Sequence, residues 1–542
     1  MSALTGPLAP LSVPVFRRIW LASIASNFGG LVQAVGAAWM MTLISDSDAM
    51  VALVQASTTL PIMVFSLVAG AVADSYDRRR VMLVSQAFMF SVSVALTAFA
   101  FLDWLNAWLL LTFTFLIGCG MAFNNPAWQA SVRDFVGKEL LSAAVLLNGV
   151  GFNVTRSVAP AVGGTIVAAA GATAAFLVNA VSYLGLIFAV WTWQGPERSE
   201  DTRREPLRSA VGSGLRYVTL SPNLMRIYLR GFLFGLAAVV VLALLPLIAR
   251  DMLDGDSLTF GLLLGAFGVG AVFSGLSSAR ISRILGNESM VRVSFLGVAL
   301  ATAAISFSSV LPLTMLAVAL AGAAWVQALA LFNTSVQLTT PRWVVGRALS
   351  FYQMFTFGGM ALGSWLWGAV VESLSVVLAL QAAAATTLVG LAVGFRWPVP
   401  PKMELDLEPL GRWQEPPVGM DILPRSGPVS VAVEYLIDEA DVPAFTELMF
   451  ERRRIRRRDG ARQWTLLNNI EQRQQWIERF ELPTWAAYVR MHGRTTQEDG
   501  RVGARIRALH RGEMPPRVRR MLVREPGPGR VQSTVERPPL DV

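Results

Sequence analysis

Long apolar runs separated by short charged turns set the pattern of this chain. A helix needs about 20 mostly apolar residues to cross a bilayer. Twelve such runs precede residue 397, near 19–44, 50–73, 81–102, 106–126, 140–168, 173–193, 225–249, 258–279, 291–310, 312–336, 347–371 and 374–396. The longest connection between runs, 195–224, divides them six and six. The pattern predicts a six-helix bundle over 1–194, a linker over 195–224 and a second bundle over 225–396. Residues 397–428 are rich in proline and charge and read as a second linker. From Val429 the pattern turns globular, because Val429 to Ile437 alternates as a strand does. Residues 441–458 suit a helix, 462–468 a second strand, 471–480 and 484–492 helices, and 517–524 a last strand. That order suggests a small ferredoxin-like domain over 429–525, with 526–542 a disordered tail.

Composition supports the membrane assignment. Of 542 residues, 54% are hydrophobic and 15% charged, against roughly a quarter charged in soluble domains. The net charge of +9 would suit a nucleic-acid binder. Its distribution argues for topology instead, since cytoplasmic loops collect Arg and Lys. With the N-terminus inside, the inner loops carry Arg17, Arg18, Arg78 to Arg80, Arg133, Lys138, the linker arginines, Arg280, Arg283, Arg292, Arg342 and Arg347. The outer loops hold Arg250 with Asp46, Asp48, Asp103, Asp251, Asp254, Asp256 and Glu372. Both termini are thus expected in the cytoplasm. One cysteine and two histidines argue against an internal disulfide and a His/Cys metal site. Neither metal nor cofactor is expected.

The two halves echo one another at an offset of about 205 residues. Gly70 and its charged loop correspond to Gly275, Ala279, Arg280 and Arg283. Asn125 and Gln129 correspond to Asn333 and Gln337, and Gly163-Gly164 to the glycines around 358–363. Two six-helix repeats suit a transporter whose substrate binds between halves at the midplane.

The segment Gly70-Ala-Val-Ala-Asp74-Ser-Tyr-Asp77-Arg-Arg-Arg80 resembles the loop signature of the major facilitator superfamily. Asn125 to Ala130, Arg133-Asp134, Asn148, Asn153, Arg156 and Ala159-Pro160-Ala-Val-Gly163-Gly164 look similar to bacterial exporters related to the enterobactin exporter, the transmembrane secretion effector type. The resemblance covers about residues 15–396. It implies an all-α membrane protein of twelve transmembrane helices in two six-helix pseudo-repeats, followed here by the small α+β cytoplasmic domain. It also implies a gating loop (Gly70, Asp74, Asp77, Arg78, Arg79, Arg80, Gly275, Arg280, Arg283) that influences switching between outward- and inward-facing states. Ser75 and Asp77 depart from the usual pattern, and Ala279 replaces the second-half aspartate. The arginines would also stand there under the positive-inside rule alone. Pro160, Gly163 and Gly164 resemble the fifth-span antiporter motif, with helix packing as the simpler reading.

Arg156 is a basic residue deep inside a predicted span, and intramembrane charge marks a functional candidate. It would pair with Asp134 or meet an anionic substrate group, and a structural or gating pair is the favoured expectation. Candidate cavity residues are Asn27, Gln33, Asn125, Gln129, Asn148, Asn153, Gln327, Asn333, Gln337 and Gln353. Neutral amides beside aromatics suit an amphipathic ligand, and each amide could equally bond a neighbouring helix. No acid sits at mid-span. Asp74, Asp134 and Glu372 lie near span ends, so proton coupling is implied only by the resemblance.

Within the tail, Glu451 to Gly460, Trp464, Glu478 to Phe480, Trp485, Tyr488, Arg490, His492 and Arg494 to Thr496 resemble the dimeric α/β-barrel domains of small cofactor-free monooxygenases. That implies a homodimer through this domain. Arg452 to Arg458 would meet anionic lipid or simply form a solvated helix face.

These observations lead to an exporter of the bacterial inner membrane, not an enzyme. It would carry a small amphipathic molecule, siderophore- or drug-like, by alternating access, with proton coupling. Membrane lipids are expected partners and nucleic acid is not. Two alternatives remain, a lipid or lysophospholipid flippase and a membrane-tethered monooxygenase acting through the tail.

Overall fold

The computed structural model describes residues 6–137, 139–194, 207–341, 343–400, 407–408, 410 and 415–524. The side chains of 6–7, 74–75, 142, 207–211 and 278–284 lie outside the described set. The chain forms two compact bodies. One comprises Met1–Arg204, Arg226–Val336 and Leu349–Lys402, and the other Glu205–Met225, Gln337–Ala348 and Met403–Val542.

The first body holds helices α1 (Pro14–Ile44), α2 (Asp48–Ser75), α3 (Arg78–Phe101), α4 (Ala107–Val136) and α5 (Leu141–Trp191). Helix α6 (Leu207–Thr219) belongs to the second body. The first body continues with α7 (Pro222–Leu247), α8 (Ser257–Ile284), α9 (Asn287–Ser306), α10 (Leu311–Leu338), α11 (Val345–Ser373) and α12 (Val376–Arg396). Eleven helices among the described residues are long and apolar enough to span a membrane. The sequence predicts twelve crossings, and α5 explains the difference. Its 51 residues would reach about 75 Å as one helix at 1.5 Å per residue, over twice the roughly 30 Å hydrocarbon core. Gly171 interrupts it with φ 78°, a left-handed conformation that glycine adopts without a Cβ clash. Two runs of crossing length therefore meet at Gly171.

Short polar residues set several helix starts. Asp77 accepts from the backbone N–H groups of Arg79 and Arg80 and caps α3. Asn106 caps α4 through Leu109 N, and Ser375 caps α12 through Leu378 N. Each cap satisfies donors that the first helical turn leaves free.

Small residues bring the helices of the first body together. A Cβ on Gly163 would lie 3.1 Å from Val32 Cα, and one on Gly261 would lie 2.8 Å from Gly164 Cα. Such closeness lets helix backbones gain van der Waals contact where lipid offers no hydrophobic drive. The N-terminal half also buries a polar knot. Asn179 donates to Gln33 at 2.6 Å and to Tyr183 at 3.2 Å, and Ser93 donates to Gln33 at 3.1 Å. The C-terminal half packs Phe234 against Phe295, Trp325 and Phe332.

The second body contains a four-stranded antiparallel sheet ordered β2-β3-β1-β4. Its strands are β1 (Val429–Leu436), β2 (Arg462–Asn468), β3 (Gln475–Leu482) and β4 (Arg517–Leu522). Helices α13 (Val442–Arg458), α14 (Trp485–Arg494) and α15 (Gln497–Ala508) complete it. Val429, Val431, Val433 and Tyr435 pack with Phe445, Met449, Phe480, Tyr488 and Ile506 in one core. The small α+β domain is present as expected, with four strands where the sequence reading has three, because 471–480 is not helical. Gln475 to Leu482 pairs with strands on both sides. Trp476, Ile477 and Phe480 mimic a helical repeat, whereas sheet pairing sets their alternation. Glu478, fully buried, supplies the misleading polar position. It accepts from Arg456, Trp464 and Tyr435, and the arginines Arg456 and Arg452 hold its carboxyl below the usual range against the opposing cost of burial.

Candidate functional site

The charged turn between α2 and α3 is a packed feature. Arg78 donates to Ala130 O at 2.8 Å and to Asp134 Oδ2 at 3.0 Å, tying α3 to α4. Arg79 donates to Val190 O at 3.3 Å and Trp191 O at 2.6 Å, tying α3 to the end of α5. Asp77 caps the helix that presents both arginines. The side chains of Asp74, Arg280 and Arg283 lie outside the described residues, and Arg80 is exposed.

The favoured expectation for Arg156 is corrected. Asp134 pairs with Arg78, so it is engaged elsewhere. Arg156 instead places its guanidinium 5.2 Å from the Phe267 ring centroid on α8. Among the described residues no carboxylate lies within ion-pair distance of it. A cation over an aromatic face gains electrostatically from the ring quadrupole, most when water is excluded.

Arg156 lies on the seam where the halves meet along α5 and α8. Cβ atoms built on Gly268 would come within 2.6 Å of Arg156 O, and on Gly261 within 2.7 Å of Pro160 O. Gly164 faces Ser257 O at 2.6 Å by the same measure. Toward the Arg78 end the seam parts, because Gly149 and Gly275 have nothing within 4 Å of a built Cβ. Val145, Gly149 and Phe152 are exposed there. Their spacing puts them on one helical stripe with Arg156.

At the opposite end the halves are tied by charge. Arg250 donates to Asp48 Oδ1 at 2.8 Å. Glu372 Oε2 accepts from Ser47 Oγ at 2.9 Å and from Ala49 N at 3.0 Å. Trp39 stacks on Phe260, centroids 6.4 Å apart. The acids of these loops thus join α2 to the second half, beyond any topological role.

The candidate amides divide by environment. Asn125 and Gln129 are exposed on α4, at four-residue spacing between Met121 and Arg133. Asn27 is exposed, while Asn148, Asn153, Asn333 and Gln353 are half-buried. Gln33 lies in the buried knot with Ser93 and Asn179. Gln327 is buried and accepts from Ser274 at 3.3 Å. Gln337 is exposed and belongs to the second body.

Arg230 is a residue that sequence reasoning missed. It lies within α7, is fully buried and pairs with Glu288 at 3.4 Å. It also donates to Gly390 O and sits 4.6 Å from the Phe295 ring. Glu288 further accepts from Arg292 and from Val399 N. The sequence signal was an arginine inside an apolar run with an acid at the start of a nearby one. Among the described residues no group of His, Cys, Asp and Glu could hold a metal.

The model of the transmembrane secretion effector family matches residues 5–527. The chain belongs to that family. It is a multi-pass transporter with the major facilitator fold, and not an enzyme. The multidrug efflux pump Tap of Mycolicibacterium fortuitum is 24% identical over 66% of this chain and 88% of its own length. The enterobactin exporter of Escherichia coli O1:K1 / APEC is 24% identical over 68% of this chain and 88% of its own. A solved bacterial homologue of the human lysosomal transporter Spinster, in an inward-facing and unoccupied conformation, superposes with a TM-score of 0.57. It has 14% identity and covers 71% of this chain and 95% of that one; the likeness shows the fold.

Proposed function

We propose that this transporter exports a small amphipathic molecule bearing an anionic group across a bacterial inner membrane by alternating access. The carrying observation is Arg156, a guanidinium in the α5–α8 seam with an aromatic neighbour and no carboxylate partner among the described residues. A charge kept at membrane depth is costly, and a substrate anion would offset that cost. Asn125 and Gln129 supply hydrogen-bonding groups on an exposed helical stripe, which suits an aqueous path better than lipid. The relatives' names, an enterobactin exporter and a multidrug pump, support a siderophore- or drug-like substrate.

In this reading both termini and the Arg78 turn are cytoplasmic, in line with the arginine asymmetry. The seam that parts near Gly149 and Gly275 is then the cytoplasmic entry, and the Asp48 and Glu372 ties close the outer side. The driving ion is a proton. Flux into proteoliposomes under an imposed proton gradient tests the function. Gradient-dependent movement of a catecholate or hydroxamate siderophore is expected, and no movement by folded protein contradicts it.

Two finer elements have their own observations. An apolar groove of about 460 Å³ between α3 and α5, lined by Val94, Phe101 and Leu177 among others, fits an acyl chain and supports lipid as a partner. It also keeps the flippase reading in play, for which lipid-dependent transport is the test. The sheet face turned from the tail's helices carries Leu436, Leu467 and Met521, 39%, 46% and 48% exposed. It supports pairing of two tails, and light scattering of the detergent-solubilised protein would report it.

A further inference from the structure

Three segments far apart in the chain make up the second body. They are 205–225, which joins the two transmembrane halves, 337–348, which joins α10 to α11, and the tail from 403 onward. Their mutual contacts are specific. Arg494, at the end of α14, places its guanidinium 4.1 Å from the Trp343 ring. Trp343 meets Tyr217 of α6 edge to face, with centroids 5.5 Å apart and planes at 86°. Arg458, the last residue of α13, lies 5.1 Å from the Tyr217 ring. It is aimed there by Asp459 at 3.0 Å and Asp499 at 2.7 Å. Asp499 is itself fixed by the Thr496 cap of α15. The assembly is therefore a run of arginine, tryptophan, tyrosine and arginine in successive contact, in which the tail supplies both outer members.

Two further contacts brace it. Arg347 donates to Ser213 Oγ at 2.8 Å, and Gly214 gives the Arg347 stem room that a Cβ would take, at 3.0 Å. Arg216 Nε approaches Arg458 O at 3.5 Å. Tyr217 and Val344 are buried at 3% and 1% exposure. The Trp343 indole N–H is buried without a hydrogen-bond partner, so the edge-to-face and cation–π contacts hold this ring.

We propose that the C-terminal domain is a clasp on the transport cycle. It binds the connection between the halves to the α10–α11 turn, with Arg494–Trp343–Tyr217–Arg458 as the fastening. Chain continuity transmits the hold, because α6 ends three residues before α7 begins and 337–348 runs into α11. While the clasp is closed, the α10–α11 hairpin cannot shift against the segment entering α7. The clasped arrangement therefore slows turnover, and releasing it speeds the cycle. Two states that differ in the clasp alone shift population only by the free energy of that contact.

The test uses the full-length protein and two variants, Trp343→Ala and Arg494→Gln. Tyr217→Phe, which keeps the ring, serves as control. Hydrogen exchange is measured for peptides over 207–219 and 337–348, with α1 peptides as reference. The clasp predicts faster exchange in both segments for Trp343→Ala and Arg494→Gln, unchanged α1 peptides and no change for Tyr217→Phe. Unchanged exchange in 207–219 would overturn the proposal. The second readout rests on the exporter reading. Turnover of a transported siderophore should rise at least about fivefold, the lower range of couplings between distinct sites, without change in half-saturation. Faster exchange with unaltered turnover would overturn the brake. If neither wild type nor variants moved substrate, the exporter reading would fail while the exchange result still judged the fastening.

Discussion

Arg78 and Asp134 form a 3.0 Å ion pair between α3 and α4, and that pairing separates the charged turn from Arg156. The turn is a structural joint on one side of the N-terminal half. Arg156 is left to the seam with the second half, over Phe267. The loop arginine and the fifth-span arginine thus keep different partners.

The joint should behave as an exchangeable pair. Both side chains are about a quarter exposed, at 24% and 22%, and ion pairs open to solvent contribute up to about 1 kcal/mol. Arg78→Asp and Asp134→Arg should each lower transport, and the combined swap should restore much of it. A double variant no better than either single would dismiss the joint.

Arg156 should matter by charge. Arg156→Gln should reduce flux of an anionic siderophore by about tenfold, equivalent to ~1.4 kcal/mol. Arg156→Lys should retain more, and a cationic dye should be affected less. Equal losses for anion and cation would assign Arg156 to packing alone.

The glycine seam gives a contrast within one helix. Gly268→Ala would set a Cβ 2.6 Å from backbone atoms of Arg156 and Ser157, whereas Gly275→Ala meets nothing within 4 Å. Overpacking of this kind costs about 1–3 kcal/mol. Thermal unfolding in detergent should show a lower midpoint for the first and none for the second.

The tail should lose stability in mild acid through His492. Burial foremost, then Arg456, Arg452 and Arg520, pushes its imidazole down to about 3 from the usual 6.5. The folded domain keeps it neutral while the unfolded chain takes a proton below about pH 6.5. Stability is then full above that pH and falls as pH drops toward 3, by at most about 1.4 kcal/mol per pH unit. Hydrogen exchange of β1 and β3 peptides between pH 7 and 5, corrected for intrinsic rate, would show the slope. His492→Gln should flatten it.

The membrane architecture was legible because run length against bilayer thickness is a strong constraint on sequence. The α5 break was legible too, because Gly171 falls between the runs 140–168 and 173–193. The amides were harder to read. Gln33 seemed a cavity residue, yet its partner Asn179 lies 146 positions away, a distance that no local pattern reveals. β3 was misread because Trp476, Ile477 and Phe480 fit a helical period, and its buried Glu478 breaks the alternation of a strand. The Tyr217–Trp343 contact joins α6 to the α10–α11 turn with no shared motif, so nothing in the sequence announced it.

The most direct test of alternating access is a pair of spin-label distances in reconstituted protein lacking Cys119. One pair sits at 149 and 275, where the seam parts, and the other at 46 and 254, in the loops at the opposite end. Under substrate and a proton gradient, the account predicts that the first distance shortens in the population where the second lengthens. Distances that stay fixed under every condition, or that change together in the same direction, would contradict it.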